Sequence, residues 1–309
     1  MTAETQPAPT GIKLWIIAVR AYAYPASVVP LLLGAVTAWL SGASLQWYLL
    51  PAVLLGGVLL HTATNLLNDR DDFVRGVDRP GTKGGNGLLV SGAMAPDRAR
   101  RGGFVCLVIA GLVGVPLIAL RGWPLAAVIA AGALGAWGYT AGGRGYKYVA
   151  LGDPLVGILM GPLMVLGAHL ALGAPLSGVP VLASLPVACL VIAILAANNL
   201  RDIQDDSAAK IKTLAIVLGQ RGALAWYLFL LGAAYLSVVG LVVFHVLPWP
   251  GLAVVLSLPL ALRLARSSIR GVVQSDPVAL DVVVPTAQFH LAFGLLMIVG
   301  IVAGKLLGQ

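Results

Sequence analysis

Apolar runs of membrane-spanning length, parted by short charged connections, constrain this chain more than any motif does. About 20 mostly apolar residues carry a helix across the hydrocarbon core of a bilayer. Nine such runs can be read, near residues 12–40, 48–67, 102–120, 123–141, 152–171, 179–199, 221–246, 249–266 and 285–307. Only 10% of the residues are charged and 59% are hydrophobic, whereas a soluble domain carries roughly 25% charge. An open sheet leaves its backbone unsatisfied in lipid, and no alternating barrel pattern is present, so the expected fold is an all-α integral membrane protein. The polar opening at 1–11 lacks the basic, apolar and cleavage regions of a secretory signal, and the run after Lys13 is expected to stay in the bilayer as the first span.

The connections alternate in charge. The 68–101, 142–151, 200–221 and 263–284 segments, with Lys13 and Arg20, hold 18 of the 20 basic residues, and the opposite side holds only Arg121 and Lys305. The positive-inside rule then predicts a cytoplasmic N-terminus and an outside C-terminus. All twelve acidic residues, eleven of them aspartate, fall on the same charged side. The net charge of +8 is therefore a membrane-topology signal, and nucleic acid is not an expected partner. A chain with its polar chemistry at one mouth differs from a transporter, which more often places charge at mid-membrane.

Two acidic clusters share the spacing Asn-x-x-x-Asp-x-x-Asp: Asn65/Asp69/Asp72 and Asn198/Asp202/Asp205. On a helix those offsets fall on one stripe. Burying an ionised carboxylate costs several kcal/mol unless it meets a cation or water. Two facing stripes of short oxygen ligands suit Mg²⁺, which keeps several waters and often shares a substrate phosphate. A solvated helix end balancing its own arginines explains one cluster; matched clusters at the ends of two spans on one face favour a site. Lys210, Lys212 and Thr213 follow the second cluster, and Arg144 and Lys147 lie on the same side. Cations beside metal-binding carboxylates imply a bridging anion such as diphosphate.

Other candidates read more plainly. Gly84-Gly85-Asn86-Gly87, after Asp78 and Lys83, reads as a flexible lid rather than a phosphate cradle, and no Walker A pattern is present. His61 reads as a core histidine near the face of Asp69. His169, His245 and His290 lack ligand-spaced partners, so zinc is not expected. Cys106 and Cys189 sit in apolar runs as small hydrophobes, and Asp153 reads as a helix cap.

At these residues the chain resembles the UbiA superfamily of intramembrane aromatic prenyltransferases. The resemblance covers nearly the whole chain and rests on Asn68-Asp69-Arg-Asp-Asp72 with Gly76 and Asp78, and on Asp202-Ile-Gln-Asp205-Asp206. Within the superfamily it is most similar to the 1,4-dihydroxy-2-naphthoate polyprenyltransferases of menaquinone synthesis. That similarity lies in Arg20-x-x-x-Tyr24-Pro25, Gly145-Tyr146-Lys147 with Leu151-Gly152-Asp153, and Asn198-Asn199-x-Arg201-Asp202 with Lys212-Thr213-Leu214-Ala215. Ala21 and Asp153 stand where that subgroup has proline and glutamate, and the Pro80 to Asn86 stretch also departs from it.

The resemblance implies one domain over 1–309, about nine helices around a central cavity, set in a bacterial inner membrane with the site facing the cytoplasm. Asp69, Asp72, Asp202, Asp205 and Asp206, with Asn68, would hold Mg²⁺ on a polyprenyl diphosphate, directly or through water. Lys147, Lys212, Arg144 and Arg201 would take up charge as diphosphate departs, with Asn65 and Asn198 assisting. Tyr139, Tyr146 and Tyr148 are each candidates to stabilise the allylic cation through cation–π attraction. The implied product is a demethylmenaquinol. Other superfamily acceptors (4-hydroxybenzoate, homogentisate or a tetrapyrrole) and a cation-coupled transporter are the alternative readings.

Overall fold

Helix is the only extended regular structure in the computed structural model, which describes residues 9–82, 84–140 and 144–308. Lys83, 141–143 in the connection before Arg144, and most of the polar 1–11 opening lie outside the described residues. Seven helical segments among the described residues are long and apolar enough to cross a bilayer: Ala21–Leu40, Trp47–Val74, Pro96–Arg121, Gly152–Ala171, Leu214–Val243, Trp249–Val273 and Val283–Leu306. Two shorter apolar helices, Trp123–Gly138 and Leu185–Arg201, stand where the sequence places two further spans. Large side chains such as Leu112, Val115, Leu236 and Val299 are exposed on these helices, as a lipid-facing surface requires. The chain is an integral, multi-pass membrane protein.

Several expected boundaries shift, each for a local reason. The run at 12–40 is not one helix. Helix α1 (Gly11–Ala18) stops at Arg20, which adopts a left-handed φ of 55°, and α2 (Pro25–Leu40) restarts on Pro25. A left-handed arginine ends a helix, whereas proline at the first helical position is pre-set for one. The second run continues as α3 (Leu50–Val74), so the first acidic cluster is helical throughout and the connection to α4 (Pro96–Arg121) is shorter than 68–101. After α5 (Trp123–Gly138) the next span is interrupted: α6 (Gly152–Ile158) passes through a π turn at Leu159–Leu163, around Pro162, into α7 (Met164–Ala171).

The short α8 (Val179–Ala183) leads into α9 (Leu185–Arg201), which ends before Asp202. Asp202 has φ −96° and ψ 7°, and α10 (Ile203–Ala208) begins beyond it. The second cluster therefore straddles a break, and Asn198, Asp202 and Asp205 do not share one helical stripe. Helix α11 (Leu214–Val243) begins before the expected 221, with a kink where Gly219 takes φ 68°. A 3₁₀ stretch at Trp249–Ser257 feeds α12 (Leu258–Val273), and α13 (Val283–Leu306) closes the chain.

The main core lies where α2, α9, α11 and α13 meet, around Leu33, Leu190, Tyr227, Phe289, Phe293 and Met297. Lipid is as apolar as leucine, so packing and polar links hold such helices together. A Cβ on Gly34 of α2 would sit 2.3 Å from the Val165 carbonyl oxygen of α7, so only glycine permits that approach. Buried Tyr227 and Thr286 share a 2.8 Å hydroxyl contact between α11 and α13. The other half of the bundle, walled by α3, α4, α5 and the interrupted Gly152–Ala171 span, encloses a cavity.

Candidate active site

One stripe of α3 lines that cavity, through Val53, Gly57, Leu60, Thr64, Asn68 and Asp72. The three- and four-residue steps are those of a single helix face. At 1.5 Å per residue the stripe runs about 28 Å from Val53 to Asp72. Its volume is about 390 Å³. The end at Asp72 is polar, with Arg20, Asn68, Asp78, Lys147, Asn198, Asn199, Asp202 and Asp206 also around the mouth. Below them the wall is aliphatic, with glycines and methionines.

Both acidic clusters meet at the mouth. A Cβ built on Gly84 would lie 2.6 Å from Asp78 Oδ1 and 4.0 Å from Asp202 Oδ2. Those two oxygens are therefore no farther apart than the sum of the two distances, about 6.6 Å. The same crowding explains the glycines: a Cβ on Gly85 would stand 2.4 Å from Asp78 Oδ2. The connection that carries them is pinned by Leu88, Leu89 and Met94, which pack on Leu14, Ala18 and Leu66.

Each carboxylate has its own environment. Asp72 pairs with Lys147 and accepts from Tyr148 Oη at 2.9 Å. Lys147 also donates to Asn68 Oδ1 at 2.9 Å. Burial opposes the Lys147 charge, but Asp72, then Tyr139 and Tyr148, hold it above the usual lysine range. Asp69 does not line the cavity. It pairs with Arg20 and accepts from Asn86 Nδ2 at 2.6 Å, tying the break after α1 and the glycine-rich connection to α3. Asp202 is bound by Arg201 through two contacts of 2.6 and 2.7 Å, and Arg201 also donates to Asn198 Oδ1 at 2.9 Å.

Two carboxyls at the mouth sit high. Burial, then the charges of Asp72 and Asp69, push Asp78 up to about 6. Burial pushes Asp206 up to about 7, with Lys147 opposing and Asp202, Asp72 and Asp205 adding to the rise. Such crowding of hard oxygen donors around a polar mouth fits a divalent cation. Among the described residues no three carboxylate, histidine or cysteine side chains form a ready-made cage. Mg²⁺ is usually held by one or two carboxylates together with waters and substrate phosphate.

The tyrosines separate by position. Tyr139 and Tyr146 line the cavity and meet edge to face at 5.5 Å. The Tyr146 hydroxyl donates back to the Gly135 carbonyl at 3.0 Å, so its ring rather than its oxygen is offered inward. Tyr148 is buried outside the cavity, its hydroxyl on Asp72 and its ring beneath Arg75 at 4.2 Å. The side chains of Arg144 and Lys212 are exposed. The Lys212 backbone contributes instead, bonding to Tyr148 and Ala150 across the isolated bridge and so fixing the connection that carries Lys147. Asn65 lines the cavity and donates to the Val19 carbonyl at 3.3 Å. Asp205 does not line the cavity.

Sequence reasoning passed over Arg20, Asn86, Asp78 and Asn199 as site residues. Arg20 had a signal: a cation inside an apolar run needs a partner there. Asn199 lines the cavity with its Nδ2 donated to buried Asp153 at 3.0 Å, and Trp226 Nε1 donates to the other Asp153 oxygen at 2.9 Å. His61, expected in the core, lines the cavity with Nδ1 on Ser27 Oγ at 2.6 Å.

The model of the UbiA prenyltransferase family matches residues 27–304. The 1,4-dihydroxy-2-naphthoate octaprenyltransferase of Bacillus subtilis (strain 168) is 34% identical over 305 residues, 96% of each chain. Among solved structures, the apo UbiA homolog from Aeropyrum pernix K1 shares the fold with a TM-score of 0.66 at 18% identity, over 90% of this chain and 98% of that one. A UbiA homolog from Archaeoglobus fulgidus bound to DMAPP and Mg²⁺ gives 0.57 at 12% identity, over 92% and 99%. The match over most of the chain and the identity to the Bacillus relative settle its place: it belongs to the UbiA prenyltransferase family and is a prenyltransferase.

Proposed function

We propose that this enzyme transfers a polyprenyl group from its diphosphate to 1,4-dihydroxy-2-naphthoate, with Mg²⁺, giving demethylmenaquinol and carbon dioxide. The observation that carries the reading is a mouth of carboxylates, Lys147 and Arg20 set over an apolar-walled cavity, the whole lining stripe of α3 spanning about 28 Å from Val53 to Asp72. A diphosphate with a long isoprenoid tail matches both halves. The naphthoate acceptor is supported by the Bacillus relative's activity, and the metal by the Archaeoglobus homolog bound to DMAPP and Mg²⁺.

Asp72, Asp78, Asp202 and Asp206 would hold Mg²⁺ against the diphosphate, with Asn68 and Asn198 beside them. The ion supplies charge neutralisation of the leaving diphosphate. Lys147, already an ammonium at the mouth, donates to a diphosphate oxygen as the carbon–oxygen bond breaks. Tyr139 and Tyr146, which line the cavity, would offer ring faces and edges to the allylic carbon, with the Tyr146 hydroxyl held on the Gly135 carbonyl. The aliphatic wall keeps water from that carbon until the acceptor's ring carbon bonds to it. Asp69, Arg20 and Asn86 brace the mouth. Arg144 and Lys212 steer anions from the surface, and Arg201 holds Asp202.

The same reading places nine spans in a bacterial inner membrane, counting α5 and α9, as one domain with the N-terminus and the mouth in the cytoplasm. The test is incubation of the purified protein with Mg²⁺, a polyprenyl diphosphate and a panel of aromatic acids, with products identified by mass. The naphthoate should be prenylated with loss of carbon dioxide, and chelation should stop the reaction until Mg²⁺ is restored. Preferential turnover of 4-hydroxybenzoate or homogentisate would overturn the acceptor assignment.

A further inference from the structure

The cavity runs from the mouth to a far end lined by buried side chains. These are Leu117 of α4, Leu125 of α5, Ala171 of α7 and Val53 of α3. Beyond them Arg121 staples three elements, donating from Nε to the Ala171 carbonyl at 2.9 Å and from Nη2 to Gln46 Oε1 at 3.0 Å. Partway down, Gly132 of α5 lines the cavity together with Leu60 and Leu163. A Cβ built there would meet Leu60 Cδ2 at 3.6 Å and Leu163 Cδ2 at 3.7 Å, ordinary contact distances. The backbone of α5 thus accepts a side chain at 132 without moving. Any side chain longer than alanine's must occupy cavity, because Leu60 and Leu163 already fill the wall on either side.

Leu60 lies twelve residues from Asp72 on α3, about 18 Å along the axis. Allowing about 5 Å for the diphosphate and about 5 Å for each extended isoprene unit, a tail reaches Gly132 after two to three units. We propose that Gly132 is a donor-specificity position: its missing side chain admits prenyl tails longer than about three units. This rests on the prenyl-transfer reading above and names which donors the same cavity accepts. Gly132 touches neither the mouth nor the reacting carbon, so it acts on tail length alone.

The experiment compares wild type, Gly132→Ala and Gly132→Leu in transfer to 1,4-dihydroxy-2-naphthoate from five-, ten- and twenty-carbon prenyl diphosphates. Gly132→Leu should keep kcat/KM within threefold for the five- and ten-carbon donors and lose at least tenfold for the twenty-carbon donor. Gly132→Ala, whose Cβ meets only ordinary contacts, should stay within threefold for all three. Retained turnover of the short donors by the leucine variant also reports that it has folded. An equal loss across all donors, or an undiminished twenty-carbon rate, would overturn the proposal while leaving the transfer reading intact. A wild type that prenylates nothing from any donor would remove the reading and this inference together.

Discussion

Lys147→Met is the sharpest single test of the mouth. The ammonium is largely shielded from solvent, with 14% of its side chain exposed against 4% for Asp72, so water screens the pair little. Two consequences follow from removing it. On the proposed reading a preorganised charged donor to the leaving group is lost, which typically costs about 10²–10³-fold in kcat, or about 3–4 kcal/mol of barrier. Asp72 is also left buried without its cation, a loss of about 3–5 kcal/mol of stability for a broken buried pair. Tyr148 still donates to Asp72 at 2.9 Å, so the lower end of that range is expected. The measurements are kcat at saturating Mg²⁺ and the melting temperature with and without the ion. The variant should melt lower than wild type, and Mg²⁺ should raise its melting temperature by more, because Asp72 then has no other cation. A Lys147→Met enzyme turning over within threefold of wild type, with unchanged melting, would refute this account of the mouth.

Other substitutions separate roles that the sequence leaves merged. Asp202→Asn should lower turnover by about 10²-fold or more, read by product mass under saturating Mg²⁺, because it removes a carboxylate charge from the mouth and frees Arg201. Tyr148→Phe keeps the ring under Arg75 but removes the donor to Asp72. The Mg²⁺ concentration for half-maximal rate should rise about tenfold, with kcat at saturation within threefold of wild type. A fall in kcat at saturation would return Tyr148 to the group stabilising the cation. Trp226→Phe removes one of two side-chain donors to buried Asp153. Thermal melting should report a loss of about 1.5–3 kcal/mol, the usual worth of a hydrogen bond to a charged group.

The helical class and the approximate spans were legible because lipid leaves the backbone so few options, and apolar run length carries that constraint directly. The breaks were not legible, because tertiary partners cause them. Arg20 leaves the helix where it can reach Asp69, a residue 49 positions away, and nothing local marks residue 20 rather than its neighbours as the break. Helical offsets placed Asn65, Asp69 and Asp72 on one face, but the cavity takes the adjacent stripe through Asn68 and Asp72 and leaves Asp69 to Arg20. The second cluster failed as a stripe because α9 ends at Arg201. The matched spacing points to convergence of the two clusters, and Asp72 and Asp202 line one cavity, with Asp78 near Asp202 across Gly84. The choice among three tyrosines depended on the partners of their hydroxyls, which lie 11 and 76 residues away for Tyr146 and Tyr148.

The pairing of charges at the mouth also explains how a buried site can hold anionic and cationic groups before any ligand arrives. Asp69, Asp72 and Asp202 each have a protein cation, in Arg20, Lys147 and Arg201. An unpaired buried charge costs several kcal/mol, so none of these contacts can simply open. Lys147 can turn from Asp72 toward a phosphate oxygen only if Asp72 acquires another cation at the same moment. A diphosphate arriving with its divalent ion would satisfy both needs together, Lys147 holding the anion and Asp72 the ion. Donor and metal should therefore bind with strong mutual dependence, each poorly without the other. Titration of a non-hydrolysable prenyl diphosphate analogue into the protein should show at least tenfold tighter binding with Mg²⁺ than with chelator. The ratio should shrink in Lys147→Met, where Asp72 is already free to take the ion.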